Sequence, residues 1–295
     1  MNSKFREEFH VAFINNDLSL VDKMISDIPL SVIKFFNGSY NGDENIYLDA
    51  VKNNSLWVSS PKLFNDPFDC VINIDFEYEA YQAFLEKLHY FFDEESADII
   101  LKKFKEDKAG YDGFRKFIAY DYRMKAKRFT DFTYVSCFSE PCNLKSLRMW
   151  GHYANSHRGF CLEYSTYEIF ENEKTIYEPG YIEFLPVCYS NDYSVYKGSR
   201  NDHNAKAFLS SMAYVKSREW EYENEWRLAV FDKKHIGLSG FLIPFLSPIR
   251  AYLGCKIDER LKEDLLSICK PMDISVYQAY MKPNSYNIGY KKITG

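Results

Sequence analysis

The sequence predicts an α+β fold built on a mixed or antiparallel sheet. Strand-like runs are scattered among helical ones without regular βα alternation, and they cluster late in the chain. A third observation is the stretch Trp220–Phe231 (WEYENEWRLAVF). There Glu221, Glu223, Glu225 and Arg227 share one parity, and Tyr222, Trp226 and Leu228 share the other. A strand would place the acids and the arginine on one face and apolar groups on the other. The run ends in Leu-Ala-Val-Phe, which suits a strand. Two readings of the acidic face stay open: an edge strand with a solvated face, or a carboxylate pair aimed into a cleft.

The elements follow in order. Residues 3–28 carry Phe5, Phe9, Phe13, Leu18, Val21 and Ile25 at helical spacing, with a break at Asn16-Asp17. Leu30–Asn37 reads as a strand holding one charge, Lys34; Ile46–Asn53 as a short helix; Leu56–Ser59 as a second strand. Ser60–Cys70 contains Asn65-Asp66-Pro67, an ordered turn that Asp66 and Asp69 would close through side-chain hydrogen bonds. Residues 77–130 suggest a helical insertion of three or four helices interrupted at Gly110 and Gly113, acting as a lid or lateral subdomain. Phe132–Phe138 is strand-like, Leu144–Asn155 helical, and Phe160–Tyr164 a strand. Val187–Tyr189 is a candidate strand before a polar loop at 190–204 and a helix at 205–219. Gly240–Phe245 and Ile249–Leu253 read as strands, Asp258–Cys269 as a helix, and Ile274–Met281 as the last strand. The expected domain map is an N-terminal helical extension (1–29), one α+β domain (30–285) and a C-terminal tail (286–295).

Composition excludes several classes. The chain has 295 residues, a net charge of −5 and a 46% hydrophobic content, so it can bury a large core. The acidic balance argues against a generic surface for duplex nucleic acid. One basic patch, Lys116–Arg128, fits the solvated face of an amphipathic helix. Seven scattered cysteines without a CxxC pair read as reduced thiols, and no metal site is expected from them. No apolar run approaches a membrane span, and the start lacks an export segment, so a cytoplasmic protein without membrane contact is expected.

No GxGxxG, GxxxxGK[ST], HExxH or GxSxG is present. The remaining groups are Lys34, LWVSSPKLFNDPFDC (56–70), SCFSE (136–140), MWGHYANSHRGFCLEY (149–164) and WEYENEWRL (220–228). In that order they resemble the bacterial family catalogued as domain of unknown function 2971, over roughly residues 30–285. More distantly, the order is similar to the ADP-ribosyltransferase superfamily. That resemblance implies a split sheet around an NAD-binding cleft, with NAD as substrate and a macromolecule or water as acceptor, as in a toxin or anti-phage effector. It implies Glu225 as catalytic residue with Glu223 as partner. It implies Lys34, Ser59, Tyr153, Trp150 and Arg158 as NAD contacts, and Asn65, Asp66, Asp69, Ser139 and Arg227 in support. Lys34 departs from the superfamily's His or Arg, a point charge in place of a planar fork. Two alternatives stay open: a metal-dependent nuclease or phosphodiesterase using Asp66, Asp69, Glu223 and Glu225, and a non-catalytic binding module.

Overall fold

Ten strands form one sheet, described by a computed structural model covering residues 1–14, 17–71, 73–74, 85, 88–177, 181–191, 195–196 and 212–294. Helices α1 (Ser3–Ile14) and α2 (Leu18–Met24) precede β1 (Ser31–Phe36). Helix α3 (Ile46–Lys52) starts where the Asn45 side chain accepts from the backbone N–H of Tyr47 and Leu48, and leads into β2 (Ser55–Ser59). After the short β3 (Asn73–Ile74) come α4 (Glu94–Glu106) and α5 (Lys108–Phe132). Then follow β4 (Thr133–Ser139), α6 (Leu147–Tyr153), β5 (Phe160–Ser165), α7 (Thr166–Ile176) and β6 (Tyr181–Pro186). Short strands β7 (Cys188–Ser190), β8 (Val195–Tyr196) and β9 (Val215–Ser217) precede β10 (Glu225–Phe231). The chain ends with β11 (Gly240–Pro244), β12 (Arg250–Leu253), α8 (Glu259–Cys269), β13 (Ser275–Met281) and β14 (Ile288–Thr294).

The path through the sheet is β11-β2-β4-β1-β5-β12-β13-β14, with β10 and then β6 added to β4. All these pairs are antiparallel except β12–β13. The α+β class with a mixed sheet is therefore the observed one. β4 pairs β10 along its whole length, from Glu225 opposite Ser139 to Phe231 opposite Thr133. On its other edge it meets β2 only at Val135–Ser59 and β1 only at Ser139–Ile33. The strands splay between those two points, and this opening makes the cleft described below.

Trp226, Leu228 and Val230 enter the largest core cluster with Phe138, Phe160, Leu162 and Phe184. Ala229, on the opposite parity, packs in a second cluster with Phe9, Val135, Leu185 and Tyr214. β10 is thus buried on both faces. The N-terminal helices belong to this second cluster: Phe9 is 1% exposed and sits edge-on to Trp226 at 6.5 Å.

Several expectations change. The acidic stretch is not one strand: Arg218–Glu223 is a 3-10 turn, and Asn224 is left-handed (φ 44°) before β10 begins. The interruption in the insertion falls at Asp107, which caps α5 by accepting from Gly110 N, so Gly110 and Gly113 lie inside a helix. Of the three or four helices expected there, α4, α5 and a helical stretch at residues 85 and 88–91 are observed; residues 75–84 and 86–87 lie outside the described residues. Val215–Ser217 is a strand where a helix was expected, and the rest of 205–211 lies outside the described residues. The expected tail is β14, paired with β13 from Met281–Ile288 to Val276–Thr294, because residues 282–287 turn the chain back on itself. The helix α7 and the strand β6 were not foreseen. Among the described residues, no helix is long and apolar enough to cross a membrane.

Candidate functional site

A cleft of about 430 Å³ opens between β1 and the β2–β4 pair. This size suits a small-molecule ligand or part of a larger one. Trp57, Phe64, Phe36 and Phe138 supply its apolar walls. Lys34 reaches in from β1: its Nζ donates to the Cys137 carbonyl at 3.1 Å and lies 5.4 Å and 5.7 Å from the ring centres of Phe138 and Phe36. Burial lowers its pKa, against the attraction of Glu225. Tyr153 closes one side from the end of α6, a helix started by the Ser146 hydroxyl accepting from Met149 N. The chain then turns through Asn155, Ser156 and His157, all at positive φ, into β5. Gly159 makes that return fit, since a Cβ there would stand 2.0 Å from the Phe36 carbonyl oxygen.

The floor is a cluster of charges contributed almost entirely by residues 216–227. Lys216 on β9 donates to Glu223 Oε2 at 2.7 Å and Glu225 Oε2 at 3.0 Å, and lies 3.6 Å from Asp69 Oδ2. Arg227 donates through Nε to Glu225 Oε1 at 2.7 Å, and in a fork to both oxygens of Asp69 at 2.7 and 2.6 Å. A further donation, again from Nη1, reaches the Ala213 carbonyl at 2.7 Å. The left-handed Asn224 folds Glu223 back beside Glu225, so the pair converges through a turn and not through strand parity. The Tyr153 hydroxyl donates to the other oxygen of Glu223.

The two carboxylates are electrostatically unlike. For Glu225 burial opposes ionisation, but the charges of Arg227 and Lys216 overcome it and hold the carboxyl well below the usual range. For Glu223 burial comes first and the Glu225 charge second; Lys216 and Tyr153 offset them only in part, and the pKa rises to about 6. Lys216 stays protonated: burial opposes its charge, while Glu225, Glu223 and Asp69 together raise its pKa.

Of the residues expected at the site, Lys34, Ser59, Asn65, Asp69, Ser139, Tyr153, Glu223 and Glu225 line this one cleft. Ser59 Oγ accepts from Trp57 Nε1 at 2.9 Å. Arg227 stands behind the floor, fully buried. Asp66 does not face the cleft: its Oδ1 accepts from Phe68 N at 2.9 Å and shapes the loop that delivers Asp69. Two expected ligand contacts are elsewhere. Trp150 is fully buried, donating to the Leu144 carbonyl and the Tyr290 hydroxyl, because α6 turns its apolar side to the sheet. Arg158 is exposed in the left-handed turn and does not reach the cleft. The four-acid metal arrangement is not formed either. Asp66 is turned away, and the space between Asp69, Glu223 and Glu225 holds the Lys216 ammonium.

Two contributors escaped the sequence reading. Lys216 sits in a segment whose pattern resembles a helix, and only the β9 pairing aims it at the acids. Arg6 comes from α1: its Nη1 donates to the Glu225 carbonyl at 2.7 Å and the Val187 carbonyl at 3.0 Å, and its Nη2 to Glu140 Oε1 at 2.5 Å. The even spacing of Glu221, Glu223, Glu225 and Arg227 was the available signal for the floor; nothing local marks Arg6. Glu221 lies outside the floor and accepts from the Ser3 hydroxyl.

A second recess, about 570 Å³, lies between α3 and α8, lined by Asp43, Asp49 and Asp264 among others. It has greater volume, but lacks a comparable set of buried, hydrogen-bonded charges, and the smaller cleft is the candidate site.

Comparison with known proteins matches residues 149–228 to a family model described as a protein of unknown function (DUF2971). The matched segment runs from α6 to the middle of β10, and so spans Tyr153, Lys216, Glu223, Glu225 and Arg227. A search of curated proteins finds no match, and neither does a search of solved structures. The segment that carries most of the cleft's charged floor is similar to the DUF2971 family.

Proposed function

We propose that the cleft breaks an N-glycosidic bond of a nucleotide, with NAD as substrate and an ADP-ribosyl acceptor (a macromolecule or water) as second reactant. The observation that carries this reading is the unequal carboxylate pair at the cleft floor: Glu225 is held by Arg227 and Lys216, which keep its carboxyl well below the usual range, while Glu223 has only Lys216 and the Tyr153 hydroxyl and its pKa rises to about 6. The chemistry needs both kinds. As the nicotinamide–ribose C–N bond breaks, its electron pair leaves with nicotinamide and positive charge builds on the ribose. An ionised carboxylate alongside stabilises that charge. The acceptor's oxygen or nitrogen then bonds to the ribose carbon, and its proton passes to a base that titrates near the working pH, the role of Glu223. The aromatic walls suit a flat heterocycle, and the Lys34 ammonium suits a phosphate oxygen as a point charge.

The test is direct. Purified protein incubated with NAD should release nicotinamide, and Glu223→Gln should reduce the rate by about 10²–10⁴-fold. If wild-type protein neither releases nicotinamide nor transfers label from NAD to any acceptor, the reading is wrong.

A further inference from the structure

Among the described residues, Lys216 is the one group that touches both carboxylates of the floor pair and also stands beside Asp69. Its position is built: it is 8% exposed, its Nζ lies 4.8 Å from the centre of the Trp220 ring, and β9 is fixed by parallel pairing to β7 at Cys188–Val215, Tyr189–Lys216 and Ser190–Ser217. Three acids around one point would ordinarily hold a divalent cation through oxygen ligands. Here that point is taken by a side chain of the same chain. Of the other cations, Arg227 is committed to Glu225, Asp69 and a backbone carbonyl, and Lys34 donates to the Cys137 carbonyl. Glu223 therefore has Lys216 as its ionic partner and Tyr153 as its hydroxyl partner. Without the ammonium, Glu223 and Glu225 would repel each other in a poorly solvated site.

We propose that Lys216 is the internal cation of this site, a positioning residue that holds Glu223 and Glu225 side by side so that the pair works without a divalent metal ion. The part of this that concerns catalysis rests on the glycosidic reading above; the part that concerns the cation does not. In Lys216→Ala the three carboxylates are left around an empty space, a site for Mn²⁺ or for a small ammonium ion such as ethylammonium.

Melting curves of the full chain test the cation directly. Saturating Mn²⁺ or ethylammonium should raise the melting temperature of Lys216→Ala by roughly 5 °C and leave wild type unmoved. Adding Glu223→Gln to Lys216→Ala should remove the rise. The proposal is overturned if Mn²⁺ stabilises wild type and Glu223→Gln abolishes that effect, or if Lys216→Ala melts like wild type and responds to neither ion. Should Lys216→Ala fail to fold, the Nζ resonance of Lys216 in ¹⁵N-labelled wild type serves instead. It should move on Glu223→Gln, and an unmoved resonance overturns the proposal.

Activity adds an independent arm. Nicotinamide release by wild type should be unaffected by EDTA, Lys216→Ala should lose about a hundredfold, and ethylammonium should restore part of the loss, which a merely structural defect would not allow. Absence of nicotinamide release from wild type would sink the glycosidic reading while leaving the melting and resonance arms intact.

Discussion

Glu223 and Glu225 are two residues apart, yet their environments predict opposite consequences of the same substitution. Glu225 is ionised in the folded chain with a depressed pKa, so its pairing adds stability above its ordinary value of 4.5, and that stability is lost as pH falls through the lower folded value. Glu225→Gln leaves Arg227 and Lys216 short of a partner and should cost about 3–5 kcal/mol, read as a lowered melting temperature at pH 7. Glu223 works in the other direction. Its pKa rises from 4.5 to about 6, so the folded state binds the proton more tightly, and stability falls as pH rises from 4.5 through 6. Keeping Glu223 ionised at pH 8 costs about 2 kcal/mol. Glu223→Gln should accordingly melt within a few degrees of wild type at pH 8 while losing nicotinamide release. The wild-type rate should rise with pH through about 6 as the base form appears. A Glu223→Gln protein that unfolds, beside a Glu225→Gln protein that is stable and inactive, would reverse the assignment of the two roles.

Among the elements, α1 has the least obvious part. It lies outside the matched segment 149–228 and outside the motifs read from sequence. It nevertheless packs Phe9 against Trp226 and sends Arg6 into the backbone of β10 at Glu225 and of the β6–β7 connection at Val187. Glu140, the partner of Arg6, donates its own N–H to the Asn224 carbonyl, which fixes the turn between Glu223 and Glu225 from the other side. A guanidinium buried to 2% exposure with these partners cannot be removed cheaply. Arg6→Met should destabilise by about 3 kcal/mol in a urea titration. It should also lower nicotinamide release in the fraction that remains folded, because the carbonyl anchor of Glu225 is lost. Unchanged stability would show that α1 only covers the sheet. β14 supports the opposite end in a similar way, since the Tyr290 hydroxyl donates to the Leu144 carbonyl at 2.5 Å and accepts from Trp150.

For the molecule as a whole, the decisive feature is where the sheet parts. β4 is shared: it pairs with β10 along one edge, and along the other it touches β2 and β1 at one residue each. The gap exposes Lys34, Trp57 and Glu223 to a common space. Trp57 is a cleft tryptophan, whereas Trp150 and Trp226 are fully buried. Binding of NAD in the cleft should quench the fluorescence that Trp57→Phe removes, and Trp220, whose ring lies 4.8 Å from Lys216 Nζ, is replaced in the same background; quenching that survives the double substitution Trp57→Phe, Trp220→Phe would place the nucleotide elsewhere. The amino-acid sequence by itself determined the α+β class and most strand positions, because strand periodicity, turn residues and charge spacing are local properties; the grouping of Lys34, Ser59, Asn65, Asp69, Ser139, Tyr153, Glu223 and Glu225 came from the family resemblance that the ordered motifs carry, and the cleft brings these residues together. That resemblance also placed Trp150 and Arg158 at the same site, although helical rotation buries one and a left-handed turn exposes the other. Only the tertiary structure decided that Glu223 reaches Glu225 through a turn, that Lys216 fills the space a metal ion would take, and that Arg6 anchors the floor from the far end of the chain. Those contacts depend on the path of the backbone and on burial, where a charge's strength is set by the groups around it and not by its neighbours in sequence.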